Sequence, residues 1–336
     1  MRAILFLAVI GLASMAQAEP LPDQTYMQPG RLVAVDGGRR LNLVCTGRGS
    51  PVVLFDSGLA TSTVTWRLVQ SEVGKVTRAC AYDRAGIGFR DPRAGESDAA
   101  AIVADLHALL AAARIKTPIL YVGHSIAGLY GLLLQATHPE DVAGAVLVDP
   151  SFANQFDMMS SAAVAAGAPP AVRDGLLRAL HAQSRRLTQC AALPAPLPED
   201  CAGLSKNLPP SLAAFRKTQE SRPSYLLTNA SEFENFLPAG EDKSPDAKQL
   251  DAVTANFGDK PLIVLTRSKA DKYPGLTPAA NAAIDGAWMA GHDRLAALST
   301  RGSNTVVPDS EHNIQHDQPQ AVIDAVLKTV TAIRGR

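Results

Sequence analysis

The stretch Ile119-Leu-Tyr-Val-Gly-His-Ser-Ile-Ala-Gly-Leu-Tyr130 constrains the chain more than any other. A short, apolar, β-rich run enters a Gly-x-Ser-x-Ala-Gly turn, and an apolar helical pattern leaves it. A serine at the apex of such a strand–turn–helix joint sits in a strained backbone conformation, so its neighbours at minus two and plus two must be small. Gly123 and Ala127 meet that condition, and Gly128 and Gly131 let the helix approach the strand. Ala127 stands where glycine is more usual, and the same steric argument tolerates a methyl group. Serine and glycine are common, so the worth of this string depends on what the other strand ends supply.

Around it the pattern alternates between strands and amphipathic helices. Leu32–Val35 and Leu41–Cys45 flank Asp36-Gly37-Gly38, a hairpin signal. Val52–Phe55 reads as a strand buried on both faces, followed by Asp56-Ser57-Gly58-Leu59 and a helical stretch containing Trp66. Val76–Tyr82 is the next strand, and Asp98–Arg114 places Ile102, Val103, Leu106, Leu109 and Leu110 on one helical face. Ala145–Val148 ends in Asp149-Pro150. Residues 151–258 then lose the pattern, being rich in Pro, Ala, Ser and charge, with Ala171–Leu187 the clearest helix. The alternation resumes with Pro261–Leu265 and Asn304–Val307 as strands, and Thr277–Leu298 and Pro319–Ile333 as helices. The expected architecture is α/β, a mostly parallel sheet flanked by helices, with a mainly helical insertion. The expected division is a core over 19–150 and 259–336, interrupted by a cap or lid over 151–258.

Residues 1–18 read separately. Arg2 precedes an apolar run, Ala3–Ala13, too short to span a bilayer, and Ala16-Gln17-Ala18 forms a cleavage site before Glu19-Pro20. This predicts a signal peptide and a secreted or periplasmic protein with no membrane-spanning segment once it is cleaved. Four cysteines then suggest disulfides, Cys45–Cys80 and Cys190–Cys201, with buried free thiols the alternative for the first pair. Their spacing fits no zinc pattern. The 32 basic residues balance 32 acidic ones, which argues against a nucleic-acid partner.

Sites in parallel sheets lie at the carboxyl ends of strands. Ser125 needs a base to take its proton, and of seven histidines His312 follows a strand, in Val306-Val-Pro-Asp-Ser-Glu-His312. His316 is its competitor. His124 points away from the serine if the turn is as expected, while His107, His181 and His292 read as surface or boundary positions. His138 falls at the end of the helix, where a cation suits the dipole. A carboxylate must orient the base, and two stand after strands, Asp149 and Asp271. An oxyanion hole needs two backbone N–H groups. Ile126 supplies one, and the position of the loop after Val52–Phe55 suggests Leu59 for the other. Met158, Met159, Phe215 and Phe233 line a pocket or form the core of the insertion.

Four segments resemble the α/β-hydrolase superfamily, in its serine-nucleophile branch. Gly123-His-Ser-Ile-Ala-Gly128 resembles its nucleophile elbow, and Phe55-Asp-Ser-Gly-Leu-Ala-Thr-Ser-Thr-Val-Thr-Trp66 its oxyanion loop, with Ser57 in place of the customary histidine. Tyr82-Asp-Arg-Ala-Gly-Ile-Gly88 resembles its Asp-x-x-Gly-x-Gly turn, and Val307-Pro-Asp-Ser-Glu-His312 followed by Pro319 its histidine loop. The family's commonest acid position is not cleanly matched by Arg267-Ser-Lys-Ala-Asp271, and some branches place the acid where Asp149 stands. The resemblance implies a hydrolase of a small carboxylic ester, or of an amide, working through an acyl-enzyme with no metal or organic cofactor. Epoxide hydrolases and dehalogenases of this fold use an aspartate where this chain has Ser125. A non-catalytic binding protein of the same fold and an iminopeptidase-type peptidase are the alternatives.

Overall fold

A computed structural model describes residues 20–89, 92–201 and 208–335. The proposed signal segment and its Ala16-Gln17-Ala18 site lie outside them. In chain order the strands are β1 (Arg31–Ala34), β2 (Arg40–Thr46), β3 (Val53–Asp56), β4 (Ala79–Asp83), β5 (Ile119–His124), β6 (Val142–Val148), β7 (Leu262–Arg267) and β8 (Gly302–Val307). They form one sheet in the order β1-β2-β4-β3-β5-β6-β7-β8. β1 and β2 pair antiparallel, as do β2 and β4, and every later pairing is parallel.

Twelve α-helices are described. The helices before the insertion are α1 (Gln24–Met27), α2 (Gln70–Gly74), α3 (Ala99–Ala112) and α4 (Ala127–Thr137). Within 151–258 lie α5 (Gln155–Ala165), α6 (Val172–Ala191), α7 (Pro210–Glu220), α8 (Pro223–Phe236) and α9 (Pro245–Asp251). Those that follow are α10 (Pro278–Ala296), α11 (Ile314–Asp317) and α12 (Pro319–Arg334). The expected helical insertion is therefore present, with no strand among its described residues.

Period-two alternation along the central strands separates two apolar layers. Val53, Phe55, Leu120, Val122, Val146, Val148, Ile263 and Leu265 face one cluster, with Val69 and Val73 at and in α2 and with Val322, Val326 and Val330 of α12. Leu54, Tyr121, Leu147 and Val264 face the other, with α3, α4 and α10. Phe152, Met159 and Ala163 join that second cluster, so α5 packs with the core layer against α10. Both faces are buried, which is why these strands read as continuous apolar runs.

Chain topology selects the site. β3 is followed by β4 on one side, whereas β5 is followed by β6 on the other. The connections diverge between β3 and β5, and in open α/β sheets ligands bind at the strands' carboxyl ends at such a point. The loops that emerge carry Ser57-Gly58-Leu59 and Ser125.

Both expected disulfides are formed, Cys45–Cys80 across paired strands and Cys190–Cys201 between the end of α6 and the turn that follows. No described helix is long and apolar enough to cross a membrane.

The insertion also completes the core. The first N–H groups of α3 lack intrahelical acceptors, and α9 provides them: Ala99 N–H donates to Asp246 Oδ1 (2.8 Å) and Ala100 N–H to Gln249 Oε1 (2.8 Å). Asp246 is fully buried, and its Oδ2 has no partner. Burial, with Asp98 and Glu232 adding to it against the Ala99 N–H, pushes this carboxyl up to about 7. A carboxyl raised in the folded state costs stability as pH climbs from its unfolded value near 4 to the folded one, and the cost is constant above that. Asp246→Asn removes this dependence. Urea unfolding should show the variant gaining on the order of 2 kcal/mol more, relative to the parent, at pH 8 than at pH 5. An equal effect at both values would mean that Asp246 is charged throughout.

Candidate active site

Ser125 follows β5 directly with φ of +56°, the strained joint expected from its small neighbours. Its N–H donates to Val148 O (3.1 Å) and its carbonyl accepts from Ser151 N–H (2.9 Å), so the turn is fastened to the end of β6. A Cβ on Gly128 would lie 2.5 Å from Pro150 Cβ, which explains a glycine in the first turn of α4.

Asp149 follows β6 directly with φ of +42° and is fully buried. Four donors converge on it. Oδ1 accepts from Arg267 N–H (3.1 Å) and Trp288 Nε1–H (3.0 Å), and Oδ2 accepts from Arg267 Nη1 (3.0 Å). The fourth is His312, whose Nδ1 lies 2.7 Å from Asp149 Oδ2. Burial alone would raise the Asp149 carboxyl. The His312 hydrogen bond and charge, with the Arg267 guanidinium, outweigh burial and hold it well below the usual carboxylate range. An ionised acceptor there puts the imidazole proton on Nδ1, leaving Nε2 to accept from Ser125 Oγ at 2.9 Å. Ser125, His312 and Asp149 thus form one hydrogen-bonded line.

The other candidate acid lies elsewhere. Asp271 has a side chain 58% exposed and sits 3.2 Å from Arg267 Nη2. It contacts the guanidinium that serves Asp149 and has no described bond to His312. His316 is also apart, with Nε2 3.2 Å from Thr65 O.

His124 has no described hydrogen bond to the Ser125 side chain, and it has a structural task. Its Nε2–H donates to His312 O (3.0 Å), fixing the backbone of that loop, while Nδ1 is buried without a partner. Burial and the neighbouring His312 lower its ring to about 3, so it is neutral at ordinary pH. His292 corrects the expectation of a surface position. It is fully buried, Nε2–H donates to Pro150 O (2.9 Å), and Nδ1 meets the Thr266 hydroxyl at 2.6 Å. It braces the residue next to Asp149.

Leu59 is half-buried and Ile126 buried, and neither N–H has an acceptor among the described hydrogen bonds. Their loop is held from outside. Arg84, at the end of β4, donates to the carbonyls of Ser57 (2.6 Å) and Gly58 (2.8 Å). From the insertion, Tyr225 O–H donates to Ala60 O (2.7 Å) and Arg216 Nη1 to Ser62 Oγ (2.8 Å). A small cleft opens beside this loop, lined by Tyr26, Ser62, Phe89, Phe215 and Arg216 but not by Ser125 or His312. Met159 lies in an apolar cluster, Met158 and Phe233 pack against such clusters, and Phe215 lines the cleft.

Arg267, Trp288, Arg84 and the task of His124 were not anticipated from the sequence. Arg267 is the last residue of β7, a strand-end position like those that exposed the other site residues. Trp288 and His292 are four apart on α10, and that shared face was the available signal.

Residues 52–325 match the model of the alpha/beta hydrolase family, and the chain belongs to that family. The uncharacterised Bacillus subtilis (strain 168) protein YqjL is 23% identical over 277 residues, 82% of each chain. Among solved structures, wild-type DBJA superposes with a TM-score of 0.65 at 21% identity, covering 91% of this chain and 99% of that one. A thermophilic esterase from Thermogutta terrifontis gives 0.53 at 16% identity, with the same coverage. At such identities the likeness establishes the fold, an alpha/beta hydrolase sheet flanked by helices.

Gly58 is closely packed against the site. A Cβ there would lie 2.7 Å from His124 Nδ1, 3.2 Å from its Cε1 and 3.3 Å from Ser125 Cβ. The His124 ring is pinned to His312 and cannot yield freely. Gly58→Ala should lose about 1–3 kcal/mol in urea unfolding; an unchanged midpoint would show that the ring moves aside.

Proposed function

We propose that the protein is a serine hydrolase that cleaves a carboxylic ester through an acyl-enzyme. The observation that carries this reading is the continuous line from Ser125 Oγ through His312 to Asp149, at 2.9 and 2.7 Å. Membership of a hydrolase family and the likeness to an esterase support it.

In this reading His312 Nε2 takes the hydroxyl proton as Ser125 Oγ attacks the ester carbonyl carbon. The carbonyl oxygen gains a negative charge, which the Leu59 and Ile126 N–H groups receive. Each such donor is worth about 3–4 kcal/mol to the barrier. Asp149 is ionised and held by Arg267 and Trp288, so it stabilises the imidazolium without taking its proton. As the tetrahedral adduct collapses, His312 Nε2–H protonates the leaving alkoxide. Water then enters and adds to the acyl carbon as His312 takes one of its protons; when this adduct collapses, the bond to Ser125 Oγ breaks, His312 returns the proton to Oγ, and the carboxylic acid leaves.

Residues 151–258 act as a cap in this proposal, because α7 and α8 touch the proposed oxyanion loop through Arg216 and Tyr225. We place the protein outside the cytoplasm. The apolar run and Ala-x-Ala site at the N-terminus support this, as do two disulfides, which persist in oxidising compartments.

Ser125→Ala should lower hydrolysis of a p-nitrophenyl ester by at least about 10⁴-fold and abolish covalent labelling by a fluorophosphonate. Retained turnover would overturn the assignment. The acid is tested separately. Asp149→Asn should cost about 10⁴-fold in kcat by upsetting the His312 tautomer, and Asp271→Asn should remain within a fewfold of the parent; the reverse pattern would make Asp271 the partner.

A further inference from the structure

Arg84 belongs to the Asp83-Arg84-Ala85-Gly86 turn after β4, which the reaction as described leaves without a part. Its side chain is 3% exposed, and each of its five N–H donors has its own acceptor. Nη1 donates to Asp56 Oδ1 (2.9 Å) and Ser57 O (2.6 Å). Nη2 donates to Gly58 O (2.8 Å) and Glu232 Oε2 (2.9 Å), and Nε to Glu232 Oε1 (2.9 Å). Asp56 ends β3 and Glu232 lies on α8, so one guanidinium joins the sheet, the loop after β3 and the insertion.

The Gly58 carbonyl and the Leu59 N–H are two ends of a single peptide group, planar and trans, so they point in opposite directions. Gly58 O is held by Arg84 Nη2 and also by Thr61 Oγ1 (2.9 Å) and Thr61 N–H (3.2 Å). Fixing the oxygen fixes the direction of the N–H. This peptide borders Ser125, since a Cβ on Gly58 would come within 3.3 Å of Ser125 Cβ.

We propose that Arg84 is a positioning residue for the oxyanion hole, holding the Gly58–Leu59 peptide so that the Leu59 N–H faces the developing charge, with Glu232 holding Arg84 in that pose. The proposal rests on the esterase reading above and names a residue whose effect passes through another group. Charge is not its means of action. The guanidinium lies between two carboxylates, so the trio carries no net positive field toward the substrate. Its contribution is the planar fork, which a lysine ammonium cannot reproduce because a point cation cannot span two carbonyls and two carboxylates. The turn also fits its cap neighbour closely: Gly86 has φ of +77°, and a Cβ there would lie 1.9 Å from Thr228 Oγ1 on α8.

An oxyanion donor acts in the transition state, so misplacing it lowers kcat and kcat/KM together and leaves KM unchanged. Arg84→Lys, Glu232→Gln and Ser125→Ala should be assayed on a p-nitrophenyl ester, with active enzyme counted by fluorophosphonate titration and folding checked by circular dichroism. Arg84→Lys should lose about 10–100-fold in kcat per titrated site, with KM within about twofold. Its affinity for an alkyl boronic acid, which mimics the tetrahedral adduct, should weaken by the same factor. Glu232→Gln, which keeps one acceptor for Arg84 and removes the other, should show the same signature at about 2–10-fold, and decides the question if Arg84→Lys does not fold. Parent-like kcat per site, or a loss confined to KM, would overturn the positioning role while Ser125→Ala remains inactive. Activity retained by Ser125→Ala would instead overturn the esterase reading and this proposal with it.

Discussion

The parallel pairing of β5 with β6 is the constraint on which the rest depends. Its ladder runs past the strands themselves: Ser125 N–H donates to Val148 O, and Ser151 N–H to Ser125 O. Two consecutive strand ends are therefore locked side by side, one carrying Ser125 and the other Asp149, each with positive φ. Neither residue could hold that backbone conformation alone at a cost of order 1–3 kcal/mol. The ladder supplies the restraint, and His312 spans the gap between them from the loop after β8.

Around this line the protein buries Asp149 and Arg84 in fully partnered groups. Asp149 has four donors, and Arg84 has five acceptors. Buried ions of this kind add little stability for the desolvation they cost, and removing one partner leaves an uncompensated charge. What they provide is directional: a guanidinium or carboxylate with every valence taken has one pose. The apolar layers on either side of the sheet carry the stability, and the ion groups fix where the site's edges point.

Much of this was legible in the sequence. The elbow, the hairpin, the buried strands and the helical insertion follow from spacing and small-residue patterns, and Ser125 and His312 from their places after strands. The choice between Asp149 and Asp271 was not, because both follow strands and only the pairing of β6 with β7 and the reach of His312 separate them. Arg84 meets Glu232 across 148 residues, Trp288 meets Asp149 across 139, and Arg267 meets it across 118. No local periodicity encodes such contacts. In sequence His292 reads as a boundary because one polar residue in an apolar helical face looks like one, while here its two ring nitrogens are both occupied inside the core.

The capping of α3 by α9 bears on how such a chain can change over generations. Residues 245–251 satisfy backbone groups laid down some 150 positions earlier, and α8 holds the arginine beneath the loop after β3. The helical insertion is thus no detachable ornament on a finished sheet. Any segment exchanged for it would have to bring acceptors for the Ala99 and Ala100 N–H groups and a carboxylate for Arg84. Such points of attachment restrict what can replace it.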